Sequence, residues 1–358
     1  MSTFAVSLER IATVWPHDNA DRLAMAQLAS MSYQFVIPKD TYQPGDLVVY
    51  FPIDSILPEP LIAALGLTGK LSGVEKNRIK TLRLRGAISQ GIVAKPETVI
   101  PDWTPQNAWQ EGDDITELLG VTRYDPPPMV SEAGVLVRMP PMVSVYDIEG
   151  AERFAAQVET YLMDQPVIIT EKLEGSHWSI SLLADGAIAV CRRHYRIQPD
   201  PEIEHDWFKV ARVSGIRDKL PAIKAFLEER MGRALRILTL RGEVIGPSVQ
   251  GNIYALRERQ VWVFEVEANG QPIDAPLYVE LVEKFQIVHA PILANGVTLR
   301  AWLAGRTVAE ASNGASLLNT KTLREGIVIR PLIEARNEAL GRVIIKQRSP
   351  EYLAGSEN

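Results

Sequence analysis

The sequence has almost no cysteine, and this scarcity limits the chemistry open to it. Cys191 stands alone among 358 residues, which excludes a disulfide within the chain and a metal site built from several cysteines. It lies in an apolar run, where a buried structural thiol is the expected role. The histidines show none of the paired spacings that zinc sites use.

Long apolar runs and an excess of positive charge are also missing. No run approaches the roughly 18 apolar residues that a membrane helix needs, and the first residues lack the pattern of a secretory leader. We therefore expect a cytoplasmic protein without a membrane contact. The net charge of −6 excludes a generally basic surface, so nucleic acid would have to bind through local patches.

The length and the distribution of turn residues predict two domains. Residues 1–120 carry short β signals, among them Phe35–Ile37, Leu47–Phe51 and Ile92–Ala94, at the spacing of a small all-β barrel. The segment from Asp125 to Met142 is too rich in proline for regular structure. We therefore expect a linker over residues 121–145 and a second domain over residues 146–358.

A dense run of basic residues lies within the barrel-like part. Its members are Lys70, Lys76, Arg78, Lys80, Arg83 and Arg85. Because Arg83 and Arg85 alternate with leucines, a strand here should expose both cations on one face and bury Leu82 and Leu84 on the other. Such a face can follow a phosphate backbone, although a solvated strand face without a ligand explains the pattern equally well.

One lysine follows directly after an apolar run in the second half of the chain. Val167–Ile169 predicts a short buried strand, and residues 179–191 predict a hairpin closed by Asp185 and Gly186. Lys172 then lies at a strand end beside the hairpin. A primary amine there can attack a phosphorus atom if cations or burial lower its pKa from about 10.4 in water. By itself the stretch is a weak signal that favours a solvated lysine at a strand end, so the rest of the chain must decide.

Further charged and aromatic motifs follow at the ends of apolar segments. They are Cys191–His194, Arg241–Glu243, Val261–Val266, Glu325–Arg330 and Lys346–Arg348. Arginine and lysine at strand ends suit phosphate binding, and Lys346 and Arg348 would point the same way along a strand. No Gly-x-x-x-x-Gly-Lys-Ser/Thr sequence is present, so a P-loop does not hold the phosphates. Each motif taken alone is also compatible with a structural role.

Two families resemble parts of this chain. Residues 11–23 and 84–91 resemble the oligonucleotide-binding (OB) barrels that bind tRNA as appendages of synthetases. Over residues 150–352 the motifs resemble, in order, motifs I, Ia, III, IIIa, IV and V of the covalent nucleotidyltransferases, which include DNA ligases, RNA ligases and mRNA capping enzymes. This second resemblance implies that Lys172 attacks the α-phosphate of ATP, releases pyrophosphate and carries a lysyl-AMP.

The resemblance also implies roles for other residues. Lys346 and Arg348 would grip the α-phosphate, with arginine replacing the more usual lysine at the second position. Glu325 and Glu243 would hold Mg²⁺ or Mn²⁺, which prefer oxygen ligands. The residues expected to bind the nucleotide are Glu171, Glu174, Arg193 (or Arg192 in the other register), Glu243, which would bond a ribose hydroxyl, Phe264, which would stack on adenine, and Lys346. Glu174 stands where the family more often has aspartate.

The order of the two parts indicates a branch of the superfamily. Few residues follow Arg348, and the OB-like part precedes the catalytic part, as in the Deinococcus-type RNA ligases. We expect an α+β nucleotidyltransferase domain built on antiparallel sheets, an all-β barrel before it, and ATP-dependent joining of a 5′-phosphate to an RNA 3′-OH in RNA repair. The alternatives are a GTP-dependent guanylyltransferase and a non-catalytic OB-type RNA-binding protein.

The expected partner is RNA or a nicked duplex that contains RNA, and no protein partner is implied. The residues expected to contact the nucleic acid are Lys76, Arg78, Lys80, Arg83 and Arg85.

Overall fold

The computed structural model describes residues 4–31, 33–104, 109–124, 136–140, 142–199, 202 and 204–355. They fall into two compact units. The first unit combines residues 1–128 with 149–159 and 350–358, and the second combines residues 129–148 with 160–349. Within the described ranges, no helix has the length and apolar character needed to cross a membrane.

The first unit is mainly β-structure. Its strands up to residue 124 are β1 Ser7–Pro16, β2 Leu23–Leu28, β3 Gln34–Pro38, β4 Leu47–Phe51, β5 Ser55–Ile56, β6 Leu82–Leu84, β7 Ala87–Ser89, β8 Ile92–Ala94 and β9 Thr122–Arg123; its helices there are α1 Glu59–Ala64 and α2 Pro96–Val99. The main sheet has the order β3-β2-β1-β4-β8, with antiparallel neighbours. The strands expected near residues 35, 47 and 92 are thus present.

This sheet curls until its two ends nearly meet. The N–H of Gln90 donates to the carbonyl of Gln34 on β3 (2.9 Å), and the N–H of Val36 donates to Oγ of Ser89 on β7 (3.0 Å). Phe35 and Tyr50 lie in one cluster of fully buried apolar side chains from this sheet, and Leu8 and Phe51 lie in a second cluster that includes residues of α1. The nearly closed barrel confirms the OB-like prediction for this part of the chain.

The predicted burial of the leucines in the basic run is wrong. Leu82 and Leu84 are 36% and 39% exposed, and Arg83 between them is exposed as well. The reason is that β6 pairs with β7 in a two-stranded ribbon outside the main sheet, so Leu82 and Leu84 do not join the core clusters of the barrel. Arg85 lies in the turn between β6 and β7 with a φ of +50°. The alternation of side chains between the two faces of the strand therefore ends at Leu84.

The chain between the barrel and Lys172 contains short elements. These are β10 Leu136–Val137, β11 Glu149–Gly150, a 3₁₀-helix Ala151–Arg153 and α3 Ala155–Tyr161. The 3₁₀-helix and α3 are separated at Phe154, whose φ and ψ of −128° and 36° are not helical. Of the predicted linker, residues 125–135 and 141 lie outside the described residues, and its bounds stay a prediction.

The second unit has two antiparallel sheets and several helices. Its later strands are β12 Pro166–Lys172, β13 Ser176–Leu182, β14 Ile188–Cys191, β15 Arg196–Ile197, β16 Leu238–Ile245, β17 Gln260–Ala268, β18 Gln271–Pro272, β19 Ile292–Thr298, β20 Gly326–Pro331, β21 Arg336–Asn337, β22 Gly341–Arg342 and β23 Ile345–Arg348. The helices are α4 Asp206–Val213, α5 Ile216–Met231, α6 Ala275–Lys284, α7 Leu299–Leu303 and α8 Val308–Ser312; α9 Pro350–Gly355 follows in the first unit.

One sheet of this unit has the order β10-β15-β14-β13-β16-β17-β18 and two very different faces. Trp178, Leu240 and Val263 on one face are fully buried in a core shared with α4, α5 and α6. On the other face lie polar residues that are also buried, including Arg241 and Glu265. The predicted hairpin is confirmed as β13 and β14, and β16 continues through Arg241 and Glu243 instead of ending before them.

The other sheet places β12 between β19 and β20, with β23 on the far side of β20. Val167, Ile169 and Ile329 are fully buried. The α+β domain on antiparallel sheets is therefore confirmed.

Trp178 is one of the largest fully buried side chains, and it belongs to the core behind β13. It is fully buried, and its indole N–H donates to the carbonyl of Trp207 on α4 (3.1 Å). Trp178→Ala should lower the free energy of unfolding by about 3 to 5 kcal/mol, because it leaves a large cavity. Urea denaturation measures this, with Tyr161→Ala, a 40% exposed residue, as the control that changes little.

Candidate active site

Strand register brings three of the expected cations to one face of the second sheet. Lys172 on β12 lies opposite Gly326 on β20, and Gly326 lies opposite Arg348 on β23. Lys346 is two residues before Arg348 and so shares its face. We call Lys172, Lys346 and Arg348, together with Glu243 and Glu325, the lysine site.

Two glycines make room for this arrangement. A Cβ on Gly326 would overlap the carbonyl oxygen of Gln347, so only glycine lets β20 and β23 lie this close. A Cβ on Gly175 would overlap the carbonyl oxygen of Val244 and lie 2.7 Å from Cγ of Glu243. The glycine after Lys172 therefore lets the chain pass directly beside an acid of the site.

Two acids lie near the amine of Lys172. Oε1 of Glu325 is 2.5 Å from Nζ of Lys172. Glu243 faces the same region from β16, and burial raises its pKa to about 8, with the charge of Lys172 opposing the shift and that of Glu325 adding to it. One of these acids thus bonds the lysine, and the other has a pKa that burial raises.

These acids suit a divalent metal ion. Across the described residues, no cluster of three or more histidine, cysteine, aspartate or glutamate side chains is close enough to hold a metal by itself. Mg²⁺ is commonly held by one or two carboxylates, with water and substrate phosphates filling its other positions. Glu243 and Glu325, both partly exposed, supply oxygen donors of this kind.

The pKa of Lys346 reflects its burial and the cations around it. Its pKa is lowered to about 8, first by burial and then by the charge of Lys172, while Asp147 opposes the shift. The carboxylate of Asp147 is 3.9 Å from Nζ of Lys346 and 2.8 Å from Nη2 of Arg193. Asp147 therefore connects the lysine site to the arginine that follows β14.

Arg192 and Arg193, the two candidates for the nucleotide-binding arginine, lie in different surroundings. The guanidinium of Arg192 lies over the ring of Trp207, 4.9 Å from its centroid, on the side of α4. Arg193 instead pairs with Asp147 beside Lys346, and its charge acts on Glu243. Arg193 is thus the one placed near the lysine site.

Glu171 occupies a different environment from Lys172. It is 1% exposed, and its carboxylate accepts hydrogen bonds from Oγ of Ser316 (2.5 Å) and from the N–H of Leu317 (2.8 Å). Burial raises its pKa, and these two bonds oppose the shift. Glu171 therefore holds the loop that leads to Glu325, while its expected nucleotide contact stays a prediction.

Glu174 lies just beyond β12, where its backbone N–H donates to the hydroxyl of Tyr254 (2.7 Å). This bond fixes the chain direction after Lys172. The nucleotide contact expected of the Glu174 side chain also stays a prediction.

Aromatic side chains lie on the polar face of the first sheet. The register of β16 and β17 shifts beside Phe264, and such bulges redirect side chains. The ring of Phe264 is 5.0 Å from Tyr146 and 6.0 Å from His177 between centroids. Trp262 lies opposite Glu243 and lines an open cavity of about 460 Å³ with Val288, His289 and Leu317, among others. Two aromatic surfaces are thus available for a base.

The basic run of the first unit is not one uniform surface. Arg78 donates two hydrogen bonds to Asp54 (2.6 and 3.2 Å), and its guanidinium lies 3.5 Å from the ring centroid of Tyr124. Arg78 is therefore held by contacts within the fold, and its expected contact with nucleic acid stays a prediction. Lys76, Arg83 and Arg85 are exposed, and Lys80 is partly exposed. We call these four residues the basic patch.

Three residues near the lysine site escaped the sequence argument. Tyr146 and Asp147 follow the proline-rich stretch and have no local pattern, because their role depends on strands far along the chain. His177 carries no local signal either, because the histidines lack the paired spacing of a zinc site. It lies opposite Glu243 on β13, its Nε2 is buried without a hydrogen-bond partner among the described residues, and burial lowers its pKa to about 3.

Two family models match the chain. The model of an OB-fold domain matches residues 5–96, and the RNA ligase model matches residues 165–348. The second match covers about half of the chain and includes the whole lysine site. No curated protein matches the chain in a sequence comparison.

Solved structures of one enzyme resemble the chain over nearly its full length. The RNA ligase of Naegleria gruberi with PPi is 26% identical, with a TM-score of 0.76 and coverage of 98% of both chains. Two point mutants of that ligase, one with ATP and Mn and one with AMP and Mn, give TM-scores of 0.77 and 0.76 at the same identity and coverage. The similarity includes both the barrel and the α+β domain.

Gly175→Ala tests the close approach beside Glu243. The added methyl group must push Val244 or Glu243 away, which should lower the free energy of unfolding by about 1 to 3 kcal/mol. Urea denaturation measures the loss, and Gly355→Ala, with no atom within 4 Å of its added Cβ, is the control. Equal stability of Gly175→Ala and the unchanged protein would contradict the packing described here.

Proposed function

The chain belongs to the RNA ligase family, an assignment that makes it an enzyme that joins RNA ends, and we propose that it uses ATP and Lys172 to do so. The observation that carries the proposal is the register of β12, β20 and β23, which puts Lys172, Lys346 and Arg348 on one face. The similar Naegleria gruberi ligase is known with ATP and Mn, which supports ATP and a divalent metal as cofactors here.

In the proposed first step, Nζ of Lys172 gives its lone pair to the α-phosphorus of ATP. A P–N bond forms, the bond to the β-phosphate oxygen breaks, pyrophosphate leaves with the electron pair, and the neutral amine loses one of its two protons to solvent. Since charge builds up on phosphate oxygens, catalysis requires cations aimed at them. Lys346 and Arg348 fill this role, and Arg348 adds a planar fork that can bind two oxygens at once.

The acids of the lysine site prepare this step. Glu325 bonds the amine of Lys172 and fixes its direction along the face of the sheet. Glu243 and Glu325 would hold Mg²⁺ or Mn²⁺, which supplies positive charge to the phosphates when bound. Glu243 also lies next to Trp262 on the neighbouring strand, so a ribose hydroxyl bound to Glu243 would bring the base close to an aromatic ring.

In the later steps, the AMP moves from Lys172 to a 5′-phosphate, and a 3′-OH then attacks that phosphate and releases AMP. We propose that the substrate is a nick in a duplex whose 3′-OH strand is RNA, which would make this an RNA repair enzyme. The OB-fold domain, which carries the basic patch, would hold the nucleic acid, since a protein with net charge −6 has few other cationic surfaces.

Lys172→Ala and Lys172→Arg should both abolish attachment of AMP. Alanine lacks the amine, and a guanidinium stays protonated and has no lone pair to give. Intact-mass measurement after incubation with ATP and Mg²⁺ should show one AMP on the unchanged protein and none on either variant. Chelation of the metal should also prevent the adduct, and GTP should not replace ATP. An adduct on either variant would rule out Lys172 as the nucleophile.

Phe264→Ala should weaken the use of ATP more than Phe264→Leu, because alanine loses both the stacking surface and the apolar area. The measurement is the rate of AMP attachment at limiting ATP. Trp262→Ala serves as the matched comparison, since Trp262 is another partly exposed aromatic residue on this face and lies opposite Glu243. If Phe264→Ala keeps the normal rate and Trp262→Ala loses it, Trp262 is the platform for adenine.

Reversal of charge across the basic patch should separate the two activities. With Lys76, Lys80, Arg83 and Arg85 all changed to glutamate, AMP attachment should continue, because the lysine site is unchanged. Sealing of nicked duplexes should fall at least about tenfold at physiological salt, and binding should depend less on salt, since fewer phosphate contacts release counterions. Arg78 is left intact because it supports the fold. Normal sealing by this variant would show that the basic patch does not hold the substrate.

A further inference from the structure

Asp147 is an acid placed among groups that serve an anionic substrate. Its carboxylate is 2.8 Å from Nη2 of Arg193 and 3.9 Å from Nζ of Lys346. Its side chain is only 14% exposed. A carboxylate at this position would repel the phosphates of ATP, so its presence needs an explanation.

The chain around Asp147 is firmly anchored. The buried Arg241 donates to the carbonyl of Ser144 (2.9 Å) and to its Oγ (3.3 Å). Val143 and Ile148 are buried, and the ring of Tyr146 packs against Phe264. Displacing Asp147 would therefore disrupt several buried contacts. Asp147 is therefore held in place at the edge of the site, and we do not expect ATP to displace it.

Asp147 also affects the charges of the cations around it. Lys172 and Lys346 already lie close enough for each to affect the other, and the charge of Lys172 helps to lower the pKa of Lys346. Arg193 adds another positive charge to the same region and lowers that pKa further, while Asp147 acts in the opposite direction. Asp147 thus offsets the mutual repulsion of Arg193 and Lys346.

Arg193 also has an unused donor. Its Nε is buried without a hydrogen-bond partner among the described residues, although a buried donor normally has one. A guanidinium is planar, so a bond from Nη2 to Asp147 fixes the direction in which the other N–H groups point. The Arg193 side chain as a whole is 41% exposed, so an oxygen atom of a bound nucleotide can reach its Nη groups.

We propose that Asp147 is a positioning residue for nucleotide transfer, which holds the guanidinium of Arg193 so that its remaining N–H groups meet the nucleotide and which separates Arg193 from Lys346. Asp147 acts through Arg193 and does not touch the reacting atoms. The proposal rests on the proposed function, because it takes ATP as the nucleotide.

A double-mutant cycle tests the proposal on the full-length protein. The variants are Asp147→Asn, Arg193→Ala and the two together, and the readout is the rate of AMP attachment over a range of ATP concentrations. Asp147→Asn should reduce the rate at limiting ATP by on the order of tenfold to a hundredfold, since small misplacements of a positioning group have effects of this size. In the Arg193→Ala background the same change should have little further effect.

Two controls separate positioning from a general loss of structure. Asp147→Glu keeps the charge and should restore part of the rate. Asp164→Asn breaks a comparable aspartate–arginine pair, with Arg300 at 2.8 Å, on an exposed part of the same unit and should leave the rate unchanged. Thermal unfolding of each variant reports its folding. If Asp147→Asn proves unstable, Asp147→Glu in both Arg193 backgrounds completes the cycle, with a smaller effect expected where Arg193 is absent.

Several results would overturn the proposal. A normal rate for Asp147→Asn would show that Arg193 needs no support. A faster rate would show that Asp147 competes with ATP for the cations. An undiminished effect in the Arg193→Ala background would show that Asp147 acts by another route. Absence of any AMP adduct on the unchanged protein is a different failure, because it contradicts the proposed function itself.

Discussion

The balance of charge around Lys172 is the constraint on which the rest of the structure depends. A site that binds a triphosphate must gather cations, but cations at short range repel one another and lose hydration when buried. Acids placed next to the cations offset this repulsion. Glu325 bonds Lys172 at 2.5 Å, and Asp147 lies between Arg193 and Lys346. The register of three strands and the glycine at 326 then fix these groups at short distances on one face of the sheet.

A second layer of buried charge lies next to the lysine site. Arg241 is fully buried and bonds Glu267 at 2.8 Å, while Arg342 bonds Glu265 at 2.5 Å. Buried ion pairs contribute little net stability, because the loss of hydration offsets much of their attraction. Their value here is geometric, since Arg241 also holds Ser144 and thereby the segment that carries Asp147. The polar face of β16 thus links the fold to the placement of Arg193.

Much of the fold and of the site follows from local sequence patterns. The strands near residues 35, 47 and 92, the hairpin after Lys172 and the shared direction of Lys346 and Arg348 all depend on periodicity and turn residues, which are local. The prediction that Leu82 and Leu84 are buried is wrong, because periodicity does not reveal whether other elements pack against a strand. Asp147 could not be found from the sequence, since its partners lie 46 residues or more away along the chain.

The roles of the site residues depend on one covalent event at Lys172. The most direct measurement is peptide mapping by tandem mass spectrometry after the full-length protein is incubated with ATP and Mg²⁺. The account predicts AMP on the peptide that contains Lys172, attached at its Nζ, and loss of this AMP when RNA with a 5′-phosphate is added. AMP attached to another lysine, such as Lys346, or no attachment at all, would contradict it.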